Sequence, residues 1–158
     1  MLRTQRITPF FWFNNQAEEA ARFYTSIFRD SAIGSTARHP EGGLGPAGSV
    51  ITVEFTLEGQ RFIALNGGSQ FSFTEAVSFH VACETQQEVD YYWQRLLDGG
   101  GTPQSCGWLK DRYGLSWQVV PGMLGRIFCG NAPQAGRVIQ AMLKMQKLDI
   151  ARLEAAAR

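Results

Sequence analysis

The sequence predicts an α+β domain made of two copies of one strand–helix–strands unit, βαβββ, followed by a helical tail. Two amphipathic helices each follow a short run of β-branched and aromatic residues, and further runs of this kind come after each helix. When residues 19–24 are aligned with residues 88–93, an aromatic pair falls at the same place in both helices. The repeated order of elements and this match together favour a duplicated unit.

The first unit, about residues 6–68, begins with a strand and a helix, and Asn14 and Asn15 offer a turn and a helix cap between them. A weak strand, a loop rich in glycine and proline, and two strands joined by a tight turn come next. The predicted limits are residues 7–13, 31–37, 50–57 and 61–65 for the strands, 16–28 for the helix and 39–49 for the loop.

The second unit, about residues 76–121, repeats this order. Thr85 and Glu88 have the spacing of a capping box at the start of its helix, and three glycines from Gly99 onward end that helix. The predicted limits are residues 77–82, 104–110 and 115–120 for the strands and 86–97 for the helix.

The tail, residues 134–157, carries a broad apolar stripe at helical spacing, and Asp149 offers a break between two helices. We therefore expect a domain over residues 1–131 and a C-terminal helical extension over residues 132–158. A stripe this broad must pack either on its own domain or on a partner subunit. We expect a homodimer, and a loss of solubility or dimerisation when the residues after Asn131 are removed.

Composition narrows the classes of function. The length of 158 residues suits one domain, and a formal net charge of +1 with 18% charged residues gives no broad electrostatic reason to bind nucleic acid or an anionic membrane. No apolar run approaches a membrane span, and the N-terminal residues lack the apolar stretch of a signal peptide. The three cysteines form no CxxC pair. A soluble, cytoplasmic protein is expected.

Several stretches carry a resemblance to a known family, the most specific being Gly-Leu-Ser-Trp-Gln at residues 114–118. With the doubled βαβββ order, they resemble the vicinal oxygen chelate superfamily of glyoxalases, extradiol dioxygenases and antibiotic-resistance proteins. The chain looks most like the PhnB-like branch, often labelled demethylubiquinone methyltransferase-like, over nearly its whole length. The other matching stretches are residues 7–13, 17–20, 23–24, 53–55, 64–68, 106–111 and 140–145.

The resemblance implies two curved sheets around a trough, with metal ligands on the first, fourth, fifth and eighth strands of metal-using members. These positions correspond here to Thr8, Ala64, Ser78 and Gln118. Alanine has no donor atom, and a glutamine amide is a poor substitute for a carboxylate or imidazole. We therefore expect neither a metal site nor a cofactor.

Strand alternation predicts which side chains line the trough. In the third strand Glu54 belongs to the polar, inward set, and in the fourth strand Asn66 is expected inward together with Phe62 and Ala64. Glu54 and His80 are the candidate general acid/base pair. The simpler interpretation of His80 is a hydrogen bond to a neighbouring side chain, and the alternative role of Trp12 and Trp108 is to fill the core. The predicted ligand-binding side chains are Phe10, Trp12, Asn66, Trp108 and Gln118.

Three other signals are interpreted as structural. Residues 43–48 fit GxGxxG, but no strand–turn–helix context surrounds them, so neither a dinucleotide nor an S-adenosylmethionine site is predicted. Cys106 lacks a histidine partner in sequence and is expected to be an inert thiol. The turn at residues 110–112 is expected to be a solvated hairpin tip.

Three hypotheses about function remain. The first is a glyoxalase-fold protein that binds a small organic ligand without a metal, either as a sequestering protein or as an enzyme using Glu54 and His80. The second is a metal-dependent lyase, isomerase or dioxygenase-like enzyme with a displaced site. The third is a non-catalytic dimeric interaction protein whose trough is filled by its own aromatic side chains.

Overall fold

The computed structural model describes residues 5–129 and 133–158, and the chain divides into two compact units, residues 1–72 and 73–158. Each unit contains a four-stranded sheet and a helix that follows its first strand. Three further helices lie at the C-terminal end of the second unit. The predicted boundary between residues 131 and 132 lies outside the described residues.

The first unit has the predicted βαβββ order. Its sheet has the strand order β1-β4-β3-β2, in which β1 and β4 run parallel and the other neighbours run antiparallel. The β3–β4 hairpin turns through Glu58 and Gly59, which both have positive φ as a type I′ turn requires. The elements are β1 (Phe10–Phe13), α1 (Ala17–Thr25), β2 (Ala32–Arg38), β3 (Val50–Leu57) and β4 (Gln60–Asn66).

The second unit repeats this topology, with the strand order β5-β8-β7-β6 and a parallel pair formed by its first and last strands. The duplicated α+β architecture predicted from the sequence is therefore confirmed. The elements are β5 (Ser78–Cys83), α2 (Gln86–Leu97), β6 (Thr102–Pro103), β7 (Trp108–Lys110) and β8 (Ser116–Pro121).

Two strands are shorter than predicted, for identifiable backbone reasons. β1 begins only at Phe10, directly after Pro9, which has no N–H to donate. Of the strand predicted over residues 104–110, only Trp108–Lys110 is a strand, β7, and a separate short strand, β6, precedes the predicted range at Thr102–Pro103. Between them Cys106 and Gly107 adopt φ values of 62° and 82°, and two successive left-handed residues cannot continue a strand.

The two main helices are capped in different ways. In α2 the predicted cap is present, because the Thr85 hydroxyl accepts the Glu88 N–H at 3.2 Å and the Glu88 carboxylate accepts the Glu84 N–H at 2.7 Å. The predicted asparagine cap of α1 is wrong. Its Ala17 N–H donates at 2.8 Å to the Asn66 side chain, which comes from the end of β4.

The core of the first unit lies between its sheet and α1. Phe11, Phe55 and Phe62 form an aromatic cluster with ring centroids 5.4–6.3 Å apart, and Tyr24 of α1 stacks on Phe55. The predicted inward facing of Phe62 and Ala64 is therefore wrong, since both are buried on the helix side. Register explains this, because Phe62 pairs with Phe55 and Ala64 with Val53, which share the helix-facing side of β3.

The C-terminal helices pack within the second unit. They are α3 (Met123–Cys129), which the sequence did not predict, α4 (Ala135–Met142) and α5 (Ile150–Ala157), and Asp149 caps α5 as expected of a helix break. A separate apolar core joins them, and it consists of Leu124, Val138, Met145, Leu148 and Leu153.

Hydrogen bonds also attach the tail to the rest of the second unit. The Cys106 and Gly107 N–H groups donate to the Met145 and Gln146 carbonyls, both at 2.8 Å. The Gln86 side chain donates to the Leu148 carbonyl and accepts the Ile150 N–H at 2.8 Å. The apolar stripe was expected to pack either on its own domain or on a partner subunit. Its buried residues pack on its own domain, in the second unit. Ile139 and Leu143 of the stripe remain exposed.

Among the described residues, no helix has the length and apolar character needed to cross a membrane.

Candidate functional site

Each sheet has one face covered by a helix and one open face. On the first sheet, strand pairing places Phe10, Ile63 and Glu54 in one row across β1, β4 and β3, and Trp12 and Leu65 in the next row. These residues alternate with buried ones along every strand, so they lie on the side away from α1. We call this surface the first open face; its members are Phe10, Trp12, Thr52, Glu54, Thr56, Arg61, Ile63 and Leu65.

Two aromatic side chains dominate one edge of the first open face. Phe10, the first residue of β1, is 55% exposed, which is a large fraction for an apolar ring in a β-strand. Trp12 is held by two contacts. Its indole N–H donates to the Gly68 carbonyl at 2.8 Å, and the Phe71 ring packs edge to face against the indole with ring centroids 4.9 Å apart. Gly67 lies against the indole ring, where any Cβ would collide with it. The Trp12 ring is thus a fixed wall.

Glu54 has a partner that sequence reasoning missed. The Arg61 guanidinium lies 3.4 Å from the Glu54 carboxylate, and both side chains are about two-fifths exposed (44% and 40%). The two-residue hairpin could have indicated this pair, because it places Arg61 opposite Thr56 and therefore diagonal to Glu54 on one face.

Asn66 does not share this face. Its side-chain oxygen accepts the Ala17 N–H, and its amide donates to the Val50 carbonyl at 3.2 Å. The predicted inward position of Asn66 is wrong, because it follows Phe62 and Ala64 on the helix side of β4. Its side chain joins the start of α1 to the end of the sheet, and a role in ligand binding stays an untested prediction.

The second open face is the side of the second sheet away from α2. There His80, Gln118 and Trp108 form one row across β5, β8 and β7. The Gln118 amide donates to the Ser78 hydroxyl at 2.9 Å. The His80 side chain is exposed, and within residues 5–129 and 133–158 it makes no hydrogen bond or ion pair, which differs from the expectation of a hydrogen-bonded imidazole. Across the sheet from β7 to β5, this row therefore presents an aromatic ring, an amide and an imidazole as neighbours.

The four metal-ligand positions implied by the resemblance do not form a set of donors. Ala64 faces α1 and is fully buried, so its predicted inward facing is wrong. Ser78 and Gln118 are hydrogen-bonded to each other, and Thr8 precedes the first strand. In the described part of the chain, no group of three histidine, cysteine, aspartate or glutamate side chains is arranged to hold a metal ion.

The stretch around the β7–β8 turn is structural rather than a solvated tip. Asp111 is buried, and its carboxylate accepts the Tyr113 and Leu115 N–H groups at 2.8 and 3.1 Å and the Trp117 indole N–H at 2.9 Å. Arg112 donates to the Asp98 carbonyl at 3.0 Å. The expectation of a solvated tip is wrong for Asp111, because the turn folds back over the Trp117 indole.

Lys110, the other charged residue of this turn, lies on the second open face side of β7 and pairs with the Glu75 carboxylate at 2.6 Å. The hydrogen bond from Lys110 lowers the pKa of Glu75 below its ordinary value. This pair therefore presents little net charge beside the row formed by His80, Gln118 and Trp108.

The glycine-rich loop, residues 39–49, closes on itself between β2 and β3. The His39 N–H donates to the Ser49 carbonyl at 2.9 Å, and the Gly48 N–H donates to the His39 carbonyl at 2.8 Å. No helix follows, so the geometry required for a dinucleotide is not present there. A recess of about 390 Å³ lies at its base, lined by Asn15, Glu18, His39, Ser49, Val50 and Asn66.

The cysteines differ in exposure, which gives a first testable prediction about their reactivity. Burial raises the pKa of the Cys83 thiol to about 12, and Glu88 adds to the shift. Cys129 is exposed. Because the thiolate is the nucleophile, we expect iodoacetamide at pH 8 to modify Cys129 in the native protein and Cys83 only after unfolding, as read by peptide mass spectrometry.

The same shift gives a pH dependence for stability. An unfolded cysteine ionises near pH 9, so the unfolded chain releases this proton first as the pH rises. The contribution of Cys83 to stability is complete below about pH 9 and is lost towards pH 12. Modification of Cys83 in the folded protein at pH 8 would contradict this assignment.

The duplicated βαβββ topology, in which the first and last strands of each unit pair in parallel, defines a glyoxalase-like fold. The chain belongs to the family described as 3-demethylubiquinone-9 3-methyltransferase, whose model matches residues 5–120. The PhnB protein from Bacillus cereus is 40% identical with a TM-score of 0.68, and the match covers 75% of this chain and 100% of that one. The predicted membership of the PhnB-like branch is confirmed.

More distant solved structures share the fold alone. Protein PA1353 from Pseudomonas aeruginosa is 18% identical with a TM-score of 0.59, covering 75% of this chain and 98% of that one. A gene product from Arabidopsis thaliana is 17% identical with a TM-score of 0.50, covering 72% and 96%. None of the curated proteins matches the chain. The family description names an activity, but it assigns no role to any residue of this chain.

Proposed function

We propose that the protein binds a small organic ligand on the open faces of its sheets, without the metal site that some glyoxalase-fold proteins use. The observation that carries this proposal is the first open face, where exposed Phe10 and fixed Trp12 stand beside the polar pair of Glu54 and Arg61. An aromatic wall with a few placed polar groups is the composition of small-ligand sites.

The second open face supports the same proposal with different groups. Trp108 supplies a ring, and Gln118 supplies an amide oxygen beside the exposed imidazole of His80. The two ring nitrogens of an imidazole can accept and donate a proton, so His80 is a candidate for moving one. If a bound ligand also reacts, each open face has its own candidate general acid/base group, Glu54 on the first and His80 on the second.

Ligand binding is tested by screening a set of small aromatic and aliphatic compounds against the full chain and following the Trp12 environment by fluorescence and NMR. We expect Phe10→Ala to weaken binding by about tenfold or more, since burying a phenylalanine ring contributes about 1.5–3 kcal/mol. Leu44→Ala is the matched control, because Leu44 is also exposed but lies in the loop over residues 39–49. Failure of every compound to bind, or equal binding by both variants, would refute the proposal.

Metal dependence is tested separately on the same samples. We expect binding to be unchanged after dialysis against EDTA, and the purified protein to hold less than stoichiometric metal by elemental analysis. A stoichiometric ion that is required for binding would favour the alternative of a metal-dependent lyase, isomerase or dioxygenase-like enzyme. A complete lack of ligand binding would favour the non-catalytic interaction protein.

A further inference from the structure

We propose that the ligand of the first open face is a small organic acid, whose apolar body lies on Phe10 and Ile63 and whose anionic group binds the Arg61 guanidinium. This inference rests on the proposed function and adds the chemical class of the ligand. It is carried by the position of Arg61, by its weak partner and by the apolar surface next to it.

The position of Arg61 is fixed through its backbone. Its N–H donates to the Gln5 side-chain oxygen at 2.8 Å, and its carbonyl accepts from the Gln5 amide at 3.0 Å. On the other side it pairs with Thr56 of β3. The Arg61 backbone is thus held on both sides of the strand. Its side chain lies on the first open face, where it contacts Glu54. A fixed base is what a guanidinium needs to act as a geometric receptor.

The contact between Arg61 and Glu54 leaves room for a ligand. It is a single approach of 3.4 Å between side chains that are each about two-fifths exposed (44% and 40%), and exposed pairs of this kind contribute little. A guanidinium has five N–H donors, and Glu54 is the one side-chain partner of Arg61 among the described residues. An incoming carboxylate can form the shorter, bidentate pair that arginine favours.

The apolar part of the ligand has its surface two residues further along β4. Ile63 follows Arg61 on the same face, and two residues of strand span roughly 7 Å. Phe10 lies beside Ile63 in the parallel register. This spacing suits a body of one or two rings with an acid group at one end, whereas a ligand without charge would leave Arg61 unused.

Glu54 competes with such a ligand, and this gives two variants with opposite expected effects. Removing the competing charge with Glu54→Gln should strengthen binding of an organic acid, and removing the receptor with Arg61→Gln should weaken it. A merely structural role for the pair would change both variants in the same direction. Arg22→Gln is the matched control, since Arg22 is an exposed arginine of the same unit that pairs with Glu18 on α1.

The experiment compares 1-naphthoate with the neutral 1-naphthalenemethanol by isothermal titration and by amide chemical shifts in the full chain. We expect Arg61→Gln to weaken naphthoate binding by about tenfold or more and Glu54→Gln to strengthen it by about threefold, with Arg22→Gln unchanged. Naphthoate affinity in the unsubstituted protein should fall as salt is raised. Affinity for the alcohol should be the same in all variants.

The outcomes separate this inference from the function on which it rests. Equal affinities for the two probes, or naphthoate binding that Arg61→Gln does not change, would overturn the organic acid and leave the small-molecule site intact. Shifts on the first open face with the alcohol alone would do the same. If neither probe nor any screened compound binds there, both proposals fail together.

Discussion

Removal of residues 132–158 is expected to abolish the stable fold of the second unit. The tail supplies four of the five buried side chains of an apolar core, namely Val138, Met145, Leu148 and Leu153. Without them the fifth, Leu124, would be exposed to solvent. Each buried side chain of this kind contributes about 1.5–3 kcal/mol, so the loss is of order 6 kcal/mol or more. This is comparable with the whole stability of many domains, which is about 5–15 kcal/mol.

The truncation also removes hydrogen-bond partners from the part of the chain that remains. The Cys106 and Gly107 N–H groups would lose the Met145 and Gln146 carbonyls, and the Gln86 side chain would lose its two partners in the tail. We therefore expect the truncated chain to be recovered mainly in the insoluble fraction, and any soluble part to show a broad thermal transition by circular dichroism.

Two point substitutions control for the size of the deletion. Leu148→Ala should lower the free energy of unfolding by about 2–5 kcal/mol, because Leu148 is fully buried. Leu143→Ala should change it by less than about 0.5 kcal/mol, since Leu143 is 55% exposed. A truncated chain with the original melting temperature would contradict the assignment of the tail to the core.

The predicted homodimer can be measured in the same preparations by sedimentation equilibrium. A dimeric full-length chain that stays dimeric with Leu143→Ala would place the interface away from that side of α4. A truncated chain that is both soluble and dimeric would refute the expectation formed from the sequence.

Asp111→Ala is expected to lower the free energy of unfolding by about 3 kcal/mol. The carboxylate accepts the Tyr113, Leu115 and Trp117 N–H groups, and its removal takes this acceptor away from the buried Trp117 indole. For a chain of this length, each kcal/mol shifts the melting temperature by about 2–4 °C, so a decrease of roughly 10 °C is expected.

The control for this prediction is Asp111→Asn, which keeps one oxygen for the turn N–H groups but replaces the acceptor of the Trp117 indole with an amide donor. Its melting temperature should lie between those of the original protein and Asp111→Ala. Asp98→Ala tests a carboxylate that is partly exposed and paired with Arg95 at 4.0 Å, where little change is expected. Equal melting temperatures for Asp111→Ala and Asp98→Ala would contradict a structural role for Asp111.

Most of the fold could be predicted because its signals are local. From Ile51 to Leu57 β3 alternates apolar and polar residues, and α2 is capped by the residue just before it, so the limits of both elements were predicted correctly. The facing of β4 could not be predicted in this way, since Phe62, Ile63, Ala64 and Leu65 are all apolar and give no alternation. Its facing is decided by register with β3, which only the completed hairpin fixes.

The candidate site was predicted in part for the same reason. Phe10 and Glu54 were placed on a common face by alternation, and strand pairing puts them in one row. Arg61 was missed because its relation to Glu54 is diagonal across two strands. Asp111 was expected in solvent because it follows a short strand at a turn, whereas its partner Trp117 becomes close only after the chain reverses.

The source of the cap on α1 bears on the order in which the first unit acquires its structure. The acceptor for the Ala17 N–H is Asn66, so this helix start has no local partner until almost fifty more residues have been synthesised. We therefore expect the start of α1 to be stabilised only when β4 closes the sheet, after β2 and β3 have been synthesised. In contrast, the cap contacts of α2 lie within residues 84–88, so its first turn does not depend on a distant segment of the chain.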